Sequence, residues 1–335
     1  MRRLEEAAAA AGVSTDLLME NAGREVAARI RDFYLGDVAG REIVVLVGPG
    51  NNGGDALVAA RHLADWGARV RVVVWNRQRP EDPKLRLCQE RRVPILVRME
   101  GEVLGEAAGW VAGADLILDG LLGTGRLRPI TGTLKALLEA VRNLPRHPRP
   151  RPWVWPEPTG SLTGRPVIAA RRPTLVALDL PTGLDADTGI PDPVAFPADF
   201  TVTLGFPKLG LFNPQAADLT GQLLVADIGF PPAARPVETV SVLTPGAVAA
   251  LLPARPDSGH KGTFGRVLMV VGSRRYVGAA RLAAAAAYRV GAGLVTLAVP
   301  AEIRAPIAAG LPEAVYLPYD PADPAAPELV AGAVP

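Results

Sequence analysis

A hydrophobic, mostly β-branched run at residues 43–47 passes straight into Gly48-Pro49-Gly50-Asn51-Asn52-Gly53-Gly54-Asp55. A helical stretch over residues 56–66 follows, and then a second strand-like run at 69–75. A strand with no polar position must be covered on both faces, and a strand that returns beside it through a helix makes a right-handed parallel crossover. The chain is therefore expected to be an α/β protein built on a parallel central sheet. Glycines at a strand end let the backbone approach a ligand closely, and the N–H groups that open the next helix favour phosphate. The loop lacks the lysine of a Walker A motif and does not follow the GxGxxG spacing. A purely structural turn is the competing reading of the same residues.

The strand-then-polar-loop pattern recurs twice. Residues 116–118 lead into Asp119 and a second glycine-rich loop, with a helix expected over 133–141; residues 175–178 lead into Asp179-Leu180-Pro181-Thr182-Gly183. Later strands are expected at 201–204 and 223–227. Polar loops that follow strands of a parallel sheet converge at its carboxyl edge, where ligands bind. Asp179 is the best acid/base candidate because it lies at a strand end beside two glycine loops. Its alternative role is to cap the turn around Gly183. Asp119, also at a strand end, either caps its own turn or joins Asn52 and Thr182 around a cation. One carboxylate with neutral oxygens suits a monovalent ion better than calcium or magnesium. Asp185 and Asp187 are read as turn formers.

The first helix is expected from Ser14, Thr15 or Asp16, with Leu18, Ala22, Val26 and Ile30 recurring every four residues. Residues 142–173 are dense in Pro and Arg and read as an irregular loop, an insertion whose Arg and Trp residues also suit an anion or a partner. Residues 231–236 read as a linker. A second α/β segment then places a strand at 267–271, a helix at 277–290 and a strand at 294–299.

A net charge of +2 without a concentrated basic face argues against nucleic acid. The single Cys88 forms no intrachain disulfide and has no base in view, and His62, His147 and His260 are too scattered for zinc. No apolar stretch reaches membrane-spanning length, and Glu5 and Glu6 interrupt any signal-peptide core, so a cytoplasmic protein is the expectation.

Taken together, MENAG at residues 19–23, VGPGNNGGDALVAARHLADWGARV, DGLLGTGRLRP, ALDLPTGLDADTG, ADFTVTLGFPKLGL and LLVADIGFP resemble, in this order, the NAD(P)H-hydrate epimerase family across residues 1–230. The resemblance implies a three-layer Rossmann-like domain that interconverts the R and S epimers of NADHX and NADPHX. It implies that Asn51, Asn52, Gly53, Gly54 and Asp55, with Gly123, Thr124, Gly125, Arg126, Leu127, Arg128 and Pro129, hold the dinucleotide. Asp179 would contact the hydrated ring and serve as acid/base, and Asn52, Asp119 and Thr182 would ligate potassium. Ala56 departs from the glycine common in the family; because it begins the helix its extra methyl is expected to be tolerated, the alternative being that it narrows the ligand approach.

Beyond the linker at 231–240, His260-Lys261-Gly262-Thr263-Phe264-Gly265 and the segment from VGSRRYVG to GLVTLAVP resemble the opening of an ADP-dependent NAD(P)H-hydrate dehydratase domain, ribokinase-like in fold and often fused behind the epimerase. The family's later Gly-Thr-Gly-Asp segment has no counterpart in residues 241–335, which therefore read as the N-terminal part of that domain. ADP would be used only if the domain were completed, and dehydration is expected to be absent or incomplete. The alternatives are a full bifunctional epimerase/dehydratase, a non-catalytic dinucleotide-binding scaffold and an ordinary nicotinamide oxidoreductase. A homo-oligomer is left open, as is preference between the two hydrates.

Overall fold

The computed structural model describes residues 2–33, 36–78, 81–125, 129–145, 173–232, 240–243 and 245–333. Nearly all of the Arg/Pro-rich segment, most of the 231–240 linker, His147, and Arg126, Leu127 and Arg128 lie outside the described residues. The chain divides into two compact units, Met1–Pro245 and Gly246–Pro335.

In the first unit, helices α1 (Arg2–Ala10) and α2 (Thr15–Phe33) precede seven strands: β1 (Glu42–Val47), β2 (Arg69–Trp75), β3 (Ile95–Arg98), β4 (Leu116–Gly120), β5 (Thr174–Leu178), β6 (Phe200–Leu204) and β7 (Gln222–Ala226). Between them run α3 (Asn51–Asp65), α4 (Pro83–Glu90), α5 (Glu106–Ala112), α6 (Gly132–Arg142) and the single turn α7 (Ala217–Thr220). All strand pairs are parallel, in the order β3-β2-β1-β4-β5-β6-β7.

Alternation along β1 explains the layers. Ile43, Val45 and Val47 pack with α2 and α3, whereas Val44 and Leu46 pack with α5 and α6. Both faces of the strand are covered, so every position from Ile43 to Val47 is hydrophobic and buried. The chain runs outward from β1 to β3, then crosses back to β4 on the other side of β1. That reversal is the topological switch point, where the loops after β1 and β4 part to opposite faces and leave a crevice. The register carries it further: Leu46 pairs with Asp119, and Asp119 with Ala177, so the polar ends of β1, β4 and β5 lie side by side.

Two expectations change. The helix placed at residues 56–66 begins at Asn51, so the Asn-Asn-Gly-Gly-Asp run is its first turn rather than a loop. Gly50 occupies the N-cap with extended backbone, φ −87° and ψ −166°, which lets the glycines that follow enter the helix at once. Between residues 83 and 112 the fold also contains α4, β3 and α5, which the periodicity did not reveal; β3 is only four residues long and α5 seven.

In the second unit, the described elements are α8 (Pro245–Leu251, which starts at the unit boundary), β8 (Arg266–Val270), α9 (Val277–Arg289), β9 (Leu294–Pro300), α10 (Arg304–Ala308), β10 (Val315–Tyr319) and α11 (Ala326–Ala331). The strands form a parallel sheet in the order β10-β9-β8 with its own core, including Ala280, Ala284, Val295, Leu297 and Ile307. His260 accepts a hydrogen bond at Nδ1 from Gly262 N at 3.1 Å, a local turn contact.

Candidate active site

The glycines after β1 set the geometry. A Cβ on Gly48 would lie 1.6 Å from Leu121 O, and one on Gly53 would lie 2.1 Å from Gly48 O. Neither position admits a side chain, because the start of α3 is pressed against the ends of β1 and β4. Arg77, itself buried, pins the turn: its Nη1 donates to Gly48 O (3.0 Å) and Gly50 O (2.8 Å), and its Nε donates to Asp82 Oδ2 (2.6 Å).

A continuous hydrogen-bonded chain ties the three polar segments together. Asn52 Nδ2 donates to Leu122 O (3.0 Å), Leu122 N donates to Thr182 Oγ1 (3.0 Å), and Thr182 Oγ1 donates to Asp119 Oδ1 (2.7 Å). Asp119, only 1% exposed, also accepts from Thr182 N (2.8 Å) and Leu121 N (3.2 Å). Burial nevertheless pushes its carboxyl up to about 6, because those three donors do not replace the lost water.

Asp179 follows β5 with φ +70°, a left-handed conformation that a non-glycine residue rarely adopts. Its N–H donates to Val202 O (2.8 Å), and its Oδ1 accepts from Leu204 N (3.0 Å) and from Lys208 Nζ. Lys208 Nζ also donates to Leu204 O and Thr203 Oγ1, each at 3.2 Å. The carboxylate thus reaches sideways to β6 rather than capping the turn at Gly183.

These segments wall a cleft of ≈ 780 Å³ at the carboxyl edge of the sheet. Asn51, Asn52, Asp55, Gly123, Thr124, Gly125, Asp179 and Lys208 line it. Gly53 and Gly54 lie behind it, against Gly48 and Met19. Thr182 and Asp119 support the floor without lining the cleft, and Pro129, though described, does not line it either. Helices α1 and α2 close one side through Glu5, Leu18 and Met19. The methyl of Ala56 points away from the cleft towards Gly120, where an added Cβ would meet it at 2.4 Å, so the feared narrowing does not occur.

Four functional-looking residues escaped the reading of the sequence. Lys208 sits in the quoted segment GFPKLG without a role, and the only local signal was a lysine in an otherwise apolar stretch. Met19 stands in the quoted MENAG segment without a role, and Arg77 and Glu5 had no signal, since Gly48 and Gly50, which Arg77 holds, and the cleft that Glu5 lines are distant in the chain. His62 Nε2 donates to Glu20 Oε1 at 2.9 Å, outside the cleft, and Asp185 accepts from Thr188 N of its own turn (2.7 Å). Cys88 is fully buried, its thiol pushed up to about 11 by burial. Among the described residues no group of three or more His, Cys, Asp or Glu side chains is placed to hold a metal ion, and no helix is long and apolar enough to cross a membrane.

A seven-stranded parallel sheet wound in both directions from a central switch point, with a polar cleft at that point, defines a Rossmann-like α/β protein. Residues 15–210, more than half of the chain, match the family described as YjeF-related protein N-terminus, and the chain belongs to that family. Residues 267–331 match the family described as NAD(P)H-hydrate dehydratase. Similar relatives include the bifunctional NAD(P)H-hydrate repair enzyme Nnr of Moorella thermoacetica, 40% identical over 292 residues, covering 85% of this chain and 50% of the relative. The enzyme of the same name from Thermofilum pendens is 36% identical over 317 residues, covering 93% of this chain and 54% of the relative. The chain spans about half the length of the curated relatives it matches. A crystal structure of the yeast protein YNL200c aligns at a TM-score of 0.45 and 24% identity, covering 59% of this chain and 74% of that one.

Proposed function

We propose that the first unit, residues 1–230, interconverts the R and S epimers of NADHX and NADPHX, dinucleotides carrying water at C6 of the reduced nicotinamide ring. The observation that carries this reading is the placement of Asp179: one carboxylate oxygen is anchored by Leu204 and Lys208, and the residue lines the same cleft as the N-terminal turn of α3 and the Gly123 loop. The α3 turn and Gly123, Thr124 and Gly125 suit the pyrophosphate, because N–H groups and the positive end of a helix favour anions. The C6 hydroxyl of the substrate sits beside the ring nitrogen as a hemiaminal. Once its oxygen is protonated the nitrogen lone pair expels it as water, leaving a planar iminium-like ring to which water returns from either face. Asp179 is placed to move the proton, and the cleft holds the ring against it.

Potassium fits the chemistry of the Asn52, Asp119 and Thr182 set. All three offer hard oxygens, only one is a carboxylate, and the raised Asp119 carboxyl marks a buried charge that its hydrogen bonds leave short of compensation. A monovalent cation would supply that compensation and stiffen the loop at Leu122. We assign no ADP-dependent step to residues 246–335, which carry no Gly-Thr-Gly-Asp segment.

The test resolves the two epimers chromatographically after the protein is added to a single epimer, with and without potassium, and then with ADP. Interconversion that potassium accelerates and ADP leaves unchanged is the expected result. No interconversion, with the dinucleotide bound unchanged, would favour a binding scaffold, and hydride transfer from ordinary NADH would favour an oxidoreductase.

A further inference from the structure

Epimerisation through loss and return of water requires a proton delivered to one oxygen and a proton taken from another. Building on the epimerase reading above, we propose that Asp55 and Asp179 form an unlike pair, Asp55 giving its proton to the departing C6 hydroxyl and Asp179, held by Lys208, taking one from the entering water.

The two carboxyls line one cleft but reach it from different elements, and their surroundings are opposite. Asp55 lies in the first turns of α3, is 8% exposed, and accepts no hydrogen bond among the described residues. The charged groups that act on it are Asp179 after β5, Glu5 on α1, Lys84 on α4, and Lys208. Burial, and then the negative charges of Asp179 and Glu5, push its carboxyl well above the usual range against the weaker pull of the two lysines. Burial without donors disfavours the charged form of an acid and favours the protonated one. Asp179 has what Asp55 lacks. Its Oδ1 accepts from Leu204 N at 3.0 Å and from the Lys208 ammonium, while no donor among the described residues bonds its Oδ2. Lys208 is itself held by Thr203 Oγ1 and Leu204 O, so its charge stays beside Asp179. The strands that precede these two acids, β1 and β5, are two places apart in the sheet, so the acids enter the cleft from different elements.

The step balances. The Asp55 proton passes to the C6 hydroxyl oxygen, the C–O bond breaks with its pair leaving on water, and the ring nitrogen lone pair forms the C=N bond. A water oxygen then adds to C6, the pair returns to nitrogen, and the excess proton goes to Asp179 Oδ2. The net change is one proton moved from Asp55 to Asp179; the opposite turnover or exchange with solvent returns it. Lys208 is a positioning residue, which with Leu204 N holds Asp179 Oδ1 to β6 and leaves Oδ2 free to take the proton.

The experiment compares wild type with Asp55→Asn, Asp179→Asn, Lys208→Met and Lys208→Arg in the full chain. It reads epimer exchange, incorporation of ¹⁸O at C6 from labelled water, affinity for NADPHX, and the carbonyl stretch of protonated carboxyls in the infrared at neutral pH. Asp55→Asn should slow exchange and ¹⁸O incorporation together by roughly 10²–10⁴-fold, far more than it weakens affinity. The protonated-carboxyl band of wild type should fall in Asp55→Asn to the small remainder that Asp119 contributes, and persist in Asp179→Asn. Lys208→Met should alter that band and Lys208→Arg should restore it. Exchange near the wild-type rate in Asp55→Asn, affinity falling in step with rate, or a wild type without the Asp55 band would each overturn the pairing. These outcomes differ from failure of the epimerase reading itself, in which wild type binds the dinucleotide and exchanges nothing; the donor role then falls with that reading, whatever the infrared band shows.

Discussion

Asp179 carries two demands at one position, a left-handed backbone and a carboxylate. Asparagine tolerates positive φ better than most side chains and matches aspartate in shape. Asp179→Asn is therefore expected to keep the fold, less stably because the buried Lys208 loses its charged partner, and to bind the dinucleotide while epimer exchange drops by roughly 10²–10⁴-fold, as single-turnover rates would measure. Exchange at the wild-type rate would remove Asp179 from the reaction. Cys88 offers a check on burial at the same scale. Its thiol is enclosed beside Leu57 O at 3.4 Å and is pushed up to about 11, so it should not react with a thiol reagent at mild pH until the protein is unfolded. Rapid labelling of native protein would show that α4 does not pack its Cys88 side against α3.

At the scale of elements, β4 is the central support, flanked by β1 and β5 and covered on both faces. Leu118 is fully buried and pairs with Val45 and Val176. Leu118→Ala is expected to cost about 2–5 kcal/mol in urea unfolding, because the paired neighbours on either side cannot collapse into the space. The α3–β1 junction responds more sharply. Gly53→Ala would place a methyl 2.1 Å from Gly48 O, so the start of the helix must shift. The expected result is a lower melting temperature together with weakened dinucleotide binding, since the same turn walls the cleft. Unchanged stability and affinity would mean that α3 does not approach β1 as described.

At the scale of the whole molecule, the two units have separate hydrophobic cores. Calorimetry is expected to resolve more than one transition rather than a single two-state melt. Saturating NADPHX should raise the first unit's transition alone, by about 2.7 kcal/mol at a hundredfold excess over its dissociation constant. A ligand that raised both transitions equally would show coupling between the units that their separate cores do not suggest.

Much of this fold is local information. The uninterrupted apolar run at residues 43–47, the four-residue repeat from Leu18 to Ile30 and the glycines after Val47 follow from what one strand, one helix and one turn require of their own residues. They were sufficient to place a parallel sheet and polar loops along one edge. Short elements such as β3 were not legible, because four residues hold too little periodicity to announce a strand. The site divides in the same way. Asn51, Asn52, Asp55, Asp119, Thr182 and Asp179 stand in recognisable segments, yet only the folded chain shows Gly53 and Gly54 working behind the cleft and Lys208 beside Asp179. The reason is distance along the chain: Lys208 lies 29 residues beyond Asp179 and Thr182 lies 63 beyond Asp119. Sequence determines which backbone turns and which side chains are available. Packing of β1, β4, β5 and β6 side by side decides which of them meet, and which carboxyl is left without a donor.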